Sequence, residues 1–228
     1  SAEGGQAAER MAAQLQTLLV SPEVRWFGLS ILGAVADPSP EEWRWLRGVE
    51  DQIFAVLDSE QGRFYSSTHE AFMDAVLFGT CAMYMGGTFR MEFQSRPFVE
   101  IYLDTGRSDR VDTVVRGYML TRRQAIQEFG EGASDSITVG RGRKKLPMGE
   151  RLRFTHIVRP YGNGEPGYES VYVCDDDEQI VGDGRYSAFP YAVGRWSRAA
   201  NERYGRGPGT RALPDVRMAN SLGPDTIL

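Results

Sequence analysis

Cysteine and histidine are nearly absent from this sequence, with two of each among 228 residues. Cys81, in an apolar helix-like run, and Cys174, at the end of a strand-like segment, form neither a disulfide framework nor a metal-ligand spacing. A reducing cytoplasmic origin is therefore the default expectation. His69 and His156 stand far apart with no ligand cluster around them and read as core or surface side chains. No apolar run approaches the roughly 20 residues a bilayer helix needs, and no signal-like segment opens the sequence, so no membrane partner is expected. Overall basicity is missing as well. Twenty-six Lys and Arg stand against 31 Asp and Glu, for a net charge of −5 and a pI near 5.2, so long-range attraction for nucleic acid is absent. The motifs of the common enzyme classes are also absent: Gly-x-Ser-x-Gly, His-Glu-x-x-His, Cys-x-x-Cys and a post-strand Gly-x-Gly-x-x-Gly. The expectation is a protein that is not an enzyme, has no catalytic residue and holds neither cofactor nor metal.

What is present suits a packed core: 41% apolar and 11% aromatic residues, enough for one large domain or one domain with an appendage. Ala7 to Val20 reads as a helix with Met11, Leu15, Leu18 and Leu19 on one face, ended by Ser21-Pro22. Trp26-Phe27 follows in an extended link. Ser39-Pro40-Glu41-Glu42 is a capping box with proline at the first helical position. The helix it opens carries Trp43, Leu46, Val49, Ile53, Phe54 and Leu57, whose aromatics read as core rather than as a nucleotide-stacking platform. Ser67-Thr68-His69-Glu70 reads as a second capping box, opening a helix through Gly86 with Phe72, Ala75, Val76, Gly79, Ala82 and Met83 on one face. The small residues Gly79, Thr80 and Ala82 would let another backbone approach.

Near Thr88 the period changes to alternation, through Phe89, Met91 and Phe93, then Val99, Ile101 and Leu103, then Val111, Thr113 and Val115. These predict antiparallel strands with one wet face. Thr121-Arg122-Arg123-Gln124 caps a short helix that stops at Phe129-Gly130. Residues 130 to 149 are glycine-rich, with Arg141, Arg143, Lys144 and Lys145 in a basic loop. A solvated loop is the commoner reading of such a stretch, and non-specific phosphate contact is the functional one. Strands resume over Leu152 to Arg159, followed by a hairpin with its polar tip at Asp175 to Glu178, whose spacing is not that of a calcium loop. The fold class predicted is α+β: N-terminal helices, then a mainly antiparallel sheet, then the start of a further helix.

The densest local information lies between Pro190 and Leu222. Tyr204-Gly205-Arg206-Gly207-Pro208-Gly209 is a specified bend, since glycine admits positive φ and close backbone approach while proline fixes φ. A strand-like run, Tyr191 to Trp196, precedes it. After it comes a helix beginning near Thr210 to Leu213, with Pro214 in its first turn and Leu213, Val216 and Met218 on one face. Tyr204 is expected to pack against the sheet. From residue 185 onward seven arginines face three acids, a local net of +4. For any single arginine, a carboxylate partner or a solvated face is the better reading.

Pro190-Tyr191, Arg195-Trp196-Ser197, Glu202, Tyr204-Gly205-Arg206-Gly207-Pro208, Ala212-Leu213-Pro214-Asp215-Val216 and Asn220 together resemble the signature of the head-to-tail connector, or portal, proteins of short-tailed bacteriophages. The resemblance runs through Trp26-Phe27-Gly28-Leu29, Phe78-Gly79-Thr80, Val111 to Arg116, Leu120 to Ala125, Phe129-Gly130, His156-Ile157-Val158 and Phe189-Pro190-Tyr191. It implies a subunit of a ring, usually dodecameric, at one capsid vertex of the virion. Made in the bacterial host cytoplasm, such a ring passes double-stranded DNA during packaging and ejection and meets capsid, terminase and tail adaptor proteins. Residues 1–209 would be a wing-like domain and 210–228 the start of a stem helix. Arg141, Arg143, Lys144, Lys145 and Arg211 would be the candidates for non-specific DNA contact. The start at Ser1 and the end at Gly223 to Leu228 are those expected of a piece of a longer protein. The alternative of a different class is a monomeric or dimeric nucleic-acid-binding accessory module using the same basic loop and arginine-rich end.

Overall fold

The computed structural model describes residues 2–31, 37–87, 91–138 and 147–221. Its elements run α1 (Ala2–Leu19), α2 (Pro40–Leu57), α3 (Phe64–Phe78), β1 (Thr80–Gly86), β2 (Glu92–Arg96), β3 (Ile101–Thr105), β4 (Val111–Thr121), α4 (Arg122–Phe129), α5 (Asp135–Thr138), β5 (Arg151–Pro160), β6 (Tyr168–Cys174), β7 (Gln179–Tyr186), β8 (Tyr191–Arg195) and α6 (Pro208–Ser221). Every strand pairing among the described residues is antiparallel, and the fold is α+β. The chain divides into two compact units: residues 1–97, 191–198 and 204–228, and residues 98–190 with 199–203.

The first unit joins α1, α2, α3 and α6 to a three-stranded sheet of order β2-β1-β8. Its core collects Leu57, Phe64 and Phe93, with Trp26, Phe27, Ile53, Tyr65, Met83 and Met85 around them. Trp26 stacks on Phe64 at 6.1 Å and Phe27 on Phe54 at 4.5 Å, so the extended link serves as a lid of aromatic side chains on this core. α2 starts as expected: the Ser39 hydroxyl accepts from the Glu42 N–H at 3.3 Å, and the Glu42 carboxylate accepts from the Ser39 N–H at 2.7 Å. That bond, made by the backbone N–H of Ser39, holds the Glu42 carboxyl below its ordinary value.

Four expectations fail in this unit, each for a definable reason. α1 turns Ala8 and Ala12 inward, while Leu18 and Leu19 are 79% and 55% exposed. An alanine face lets α1 lie close to α3, which contributes Gln16 contacts in the form of the Tyr65 carbonyl at 2.9 Å and the His69 Nδ1 at 3.0 Å. The second capping box does not form. α3 begins three residues before Ser67, the Ser67 hydroxyl donates to the Phe93 carbonyl at 2.6 Å, and the Thr68 hydroxyl donates to the Phe64 carbonyl at 2.8 Å. α3 also stops early, at Gly79 in the left-handed region (φ +82°), and Cys81 belongs to β1 rather than to a helix. β1 is the central strand, paired on both sides, so tertiary pairing overrides an apolar run that is helix-compatible on its own. The change of period therefore falls at Gly79, ahead of Thr88. Finally, Trp43 is 42% exposed and does not join the core.

The second unit is a five-stranded meander, β3-β4-β5-β6-β7, covered on one face by α4 and α5. Tyr118, Ala125, Ile137, Leu152, Phe154 and Cys174 form its core. The Thr121 capping box is present, with Gly130 at the helix stop. Arg122, the first residue of α4, is 1% exposed. Its Nε donates to the Ile137 carbonyl at 2.6 Å and its Nη2 lies 3.8 Å from Glu131, so a buried charge ties α4 to α5. The acidic hairpin tip is spent on internal bonds: Asp175 accepts from the Thr155 hydroxyl, Asp176 from the Arg153 N–H and Asp177 from the Ser136 N–H.

Burial pushes the Cys174 thiol up to about 11. An unfolded thiol titrates near about 8.5, so above that value the unfolded chain loses a proton that the folded chain keeps. The stability contributed by this thiol is complete below that pH and declines as pH rises toward the folded value. Urea unfolding at pH 8 and pH 10 should show an alkaline loss that is smaller in Cys174→Ala; equal losses in both proteins would remove Cys174 as the cause.

Candidate functional site

Of the residues singled out between Tyr191 and Asp215, Arg195, Trp196, Gly205 and Gly207 meet around the point where α3 ends. β8 pairs with β1 so that Arg195 lies opposite Thr80, and the Trp196 N–H continues the ladder by donating to the Gly79 carbonyl at 2.8 Å. The chain returns at Gly205, whose N–H donates to the buried Thr80 hydroxyl at 2.7 Å. The Arg206 N–H donates to the Ser197 carbonyl at 2.6 Å, and the Thr210 hydroxyl to the Leu77 carbonyl at 3.3 Å. Segments remote from it in sequence are thereby tied to one helix end, by the Trp196 N–H and by the hydroxyls of Thr80 and Thr210.

Glycine is required here for close approach. A Cβ on Gly79 would fall less than 3.0 Å from the Gly207 nitrogen, and one on Gly205 less than 3.0 Å from the Gly79 carbonyl. On Gly207 it would meet the Ala75 and Val76 carbonyls at 2.7 Å, and on Gly209 the Leu77 carbonyl at 2.8 Å. The four glycines let the first turn of α6 pack against the last turn of α3. Of the α3 carbonyls at this contact, that of Ala75 accepts from the Gly79 N–H and that of Leu77 from the Thr210 hydroxyl, so each has a partner.

α6 begins at Pro208, earlier than the Thr210 to Leu213 start read from the sequence. Pro208 takes the first-turn place expected for Pro214, because the glycine contacts with α3 fix where the helix can start. Pro214 consequently lies inside the helix and removes the hydrogen bond to the Thr210 carbonyl. The anticipated apolar face is not packed: Leu213 and Met218 are 43% and 62% exposed, Val216 is half-buried, and Pro214 and Asp215 are exposed.

The remaining residues spread out. Tyr204 is half-buried, Arg206 is exposed, and Trp196 is 41% exposed. The Glu202 carboxylate accepts from the Ala199 N–H at 2.9 Å, closing a turn that includes Asn201 at φ +65°. Arg211 is exposed, with Nη2 donating to the Ser197 hydroxyl at 3.3 Å. Arg141, Arg143, Lys144 and Lys145 lie outside the described residues. Sequence reasoning missed Thr80 as the anchor of the bend; its adjacency to Gly79 was the available signal. Among the described residues no group of three or more His, Cys, Asp or Glu side chains is arranged to hold a metal ion, and no helix is long and apolar enough to cross a membrane.

The family described as "Bacteriophage head to tail connecting protein" matches residues 1–226, and the chain belongs to it. The chain is 24% identical over 227 residues to a protein named "Probable portal protein" from Bordetella phage BPP-1. It is 25% identical over 233 residues to one named "Portal protein" from Salmonella phage epsilon15. Each alignment covers 94% of this chain and 40% of the relative, so the chain spans about 40% of the length of the curated relatives it matches.

Proposed function

We propose that this chain is part of a portal subunit: a structural element, without a catalytic step, of an oligomeric ring at a capsid vertex through which double-stranded DNA is packaged and ejected. Residues 1–209 act as its wing and 210–228 as the start of a stem helix. The family's dodecameric rings, and its contacts with capsid, terminase and tail adaptor, are the assembly proposed, in the virion after synthesis in the host cytoplasm. The observation that carries this reading is the family match over residues 1–226, on a chain whose signature glycines hold the start of an exposed helix close against α3, with hydrogen bonds through the Thr80 and Thr210 hydroxyls.

The decisive experiment is negative-stain imaging of the gene product that carries this chain. Rings with a central hole are expected, and a uniformly monomeric or dimeric particle would overturn the reading.

Contact with a sliding genome must be weak and blind to sequence, which phosphate contacts through Arg and Lys provide. Arg141, Arg143, Lys144, Lys145 and Arg211 are the proposed contacts, with Arg206 assigned to packing or to a carboxylate of a neighbouring subunit. Titration with two unrelated duplexes should give equal affinities. Raising salt from 50 to 200 mM should weaken binding by about a hundredfold if about four phosphates are contacted. Tight, sequence-selective, salt-tolerant binding would instead favour the nucleic-acid-binding module.

A further inference from the structure

α2 buries Leu46, Phe54 and Leu57 but leaves Trp43 42% and Trp45 66% exposed. Exposed tryptophan is uncommon on a soluble surface and is enriched where a partner binds. Trp43 lines a groove of about 380 Å³ together with Pro40, Arg44 and Arg47. The spacing i, i+3, i+4, i+7 puts all four on one helix face. The capping box fixes the start of this helix, so the face is preformed.

Among the described residues some arginines are held in ion pairs and others, such as Arg10, Arg107 and Arg217, are not. Arg25, Arg63, Arg116 and Arg203 each pair with a carboxylate. Among the described residues neither Arg44 nor Arg47 does; Arg44 Nε donates to the Pro40 carbonyl at 3.3 Å, which leaves its terminal nitrogens available. Glu42, the acid nearest Arg44 in sequence, accepts from the Ser39 N–H, and Glu50, the acid nearest Arg47, accepts from the Leu29 N–H.

We propose that this face docks a carboxylate-bearing segment of a partner protein. One or two Asp or Glu side chains would meet the Arg44 and Arg47 guanidinium forks, with an aliphatic side chain between them on the Trp43 indole. The planar guanidinium matches a carboxylate in two parallel hydrogen bonds, and the indole supplies rigid apolar area beside it. Nucleic acid fits less well. A strand needs a continuous basic track, and two arginines within one turn of a single helix do not make one. The proposal is independent of ring formation and of DNA passage.

The test is a titration of the intact chain with a blocked peptide bearing two glutamates around a leucine, with its glutamine counterpart, and with oligo-dT of twelve nucleotides. The reporter is the Trp43 indole N–H resonance, assigned with Trp43→Phe. A saturable shift with the glutamate peptide is expected. Its Kd should rise by at least about tenfold in the Arg44→Gln/Arg47→Gln double variant, since charge-assisted hydrogen bonds are worth about 1.5–3 kcal/mol. Glutamine keeps nearly the helix propensity of arginine at both exposed positions, and circular dichroism verifies the fold. The glutamine peptide tests the same charge dependence on the unaltered protein and should bind at least about tenfold more weakly. No shift at millimolar peptide, equal affinity for the two peptides, unchanged affinity in the double variant, or tighter binding of oligo-dT would each overturn the proposal.

Discussion

Replacing Gly79 by valine should destabilise the protein by about 2–6 kcal/mol, read as a lowered urea midpoint. Two effects combine. The residue sits at φ +82°, which costs a β-branched side chain about 1–3 kcal/mol. Its new Cβ would also collide with the Gly207 nitrogen, a main-chain atom that cannot rotate away, adding an overpacking penalty of about 1–3 kcal/mol. Gly79→Ala and Gly164→Ala are the matched pair: Gly164 sits at φ +75° with no atom within 4 Å of the added Cβ, so its variant isolates the dihedral cost. If Gly79→Ala loses no more than Gly164→Ala, the backbone junction is not what holds α6 in place.

Arg122→Ala should cost about 3–5 kcal/mol. The change leaves the Ile137 carbonyl without its donor, breaks the link to Glu131 and opens a cavity in a side chain's place that is 1% exposed. Arg122→Met separates the contributions: it refills most of the volume and should recover part of the loss, but it cannot restore the bond to Ile137. The amides of α4 and β5 should lose hydrogen-exchange protection in both variants. Full stability in Arg122→Met would show that volume, and not the charged hydrogen bond, is what the site needs.

The parts of this fold that were legible in the sequence are those decided within a few residues. The boxes at Ser39 and Thr121, the Gly130 stop and the hairpin tip at Asp175 to Glu178 depend on local chemistry alone. Ser67 carries the same local pattern as Ser39, yet its hydroxyl is claimed by Phe93, 26 residues away, and the helix starts elsewhere. The run from Thr80 to Gly86 fits helix or strand equally well, and pairing with β2 and β8 decides it. At the junction, glycine density made the bend visible and small size marked Gly79 as a place of close approach. That the two are each other's partners could not be read, because nothing local to either names the other. Pro214 was misjudged for the same reason: the contacts that fix the start of α6 are with α3, distant in the chain.

The bond from Gly205 to Thr80 spans 125 residues, and this has a consequence for the order in which the protein can be made. On a ribosome adding about 5–20 residues per second, β1 emerges about 6–25 s before the segment that completes its junction. Throughout that interval its second edge, which β8 will occupy, offers an unpaired row of N–H and C=O groups to any neighbouring nascent chain. The second unit, nearly all of it continuous from Phe98 to Pro190, emerges inside that gap and can fold as it appears. Synthesis therefore finishes the inserted unit before the one that encloses it, and the closing of β8 onto β1 is a late step over a long loop, slow by its loop-closure entropy.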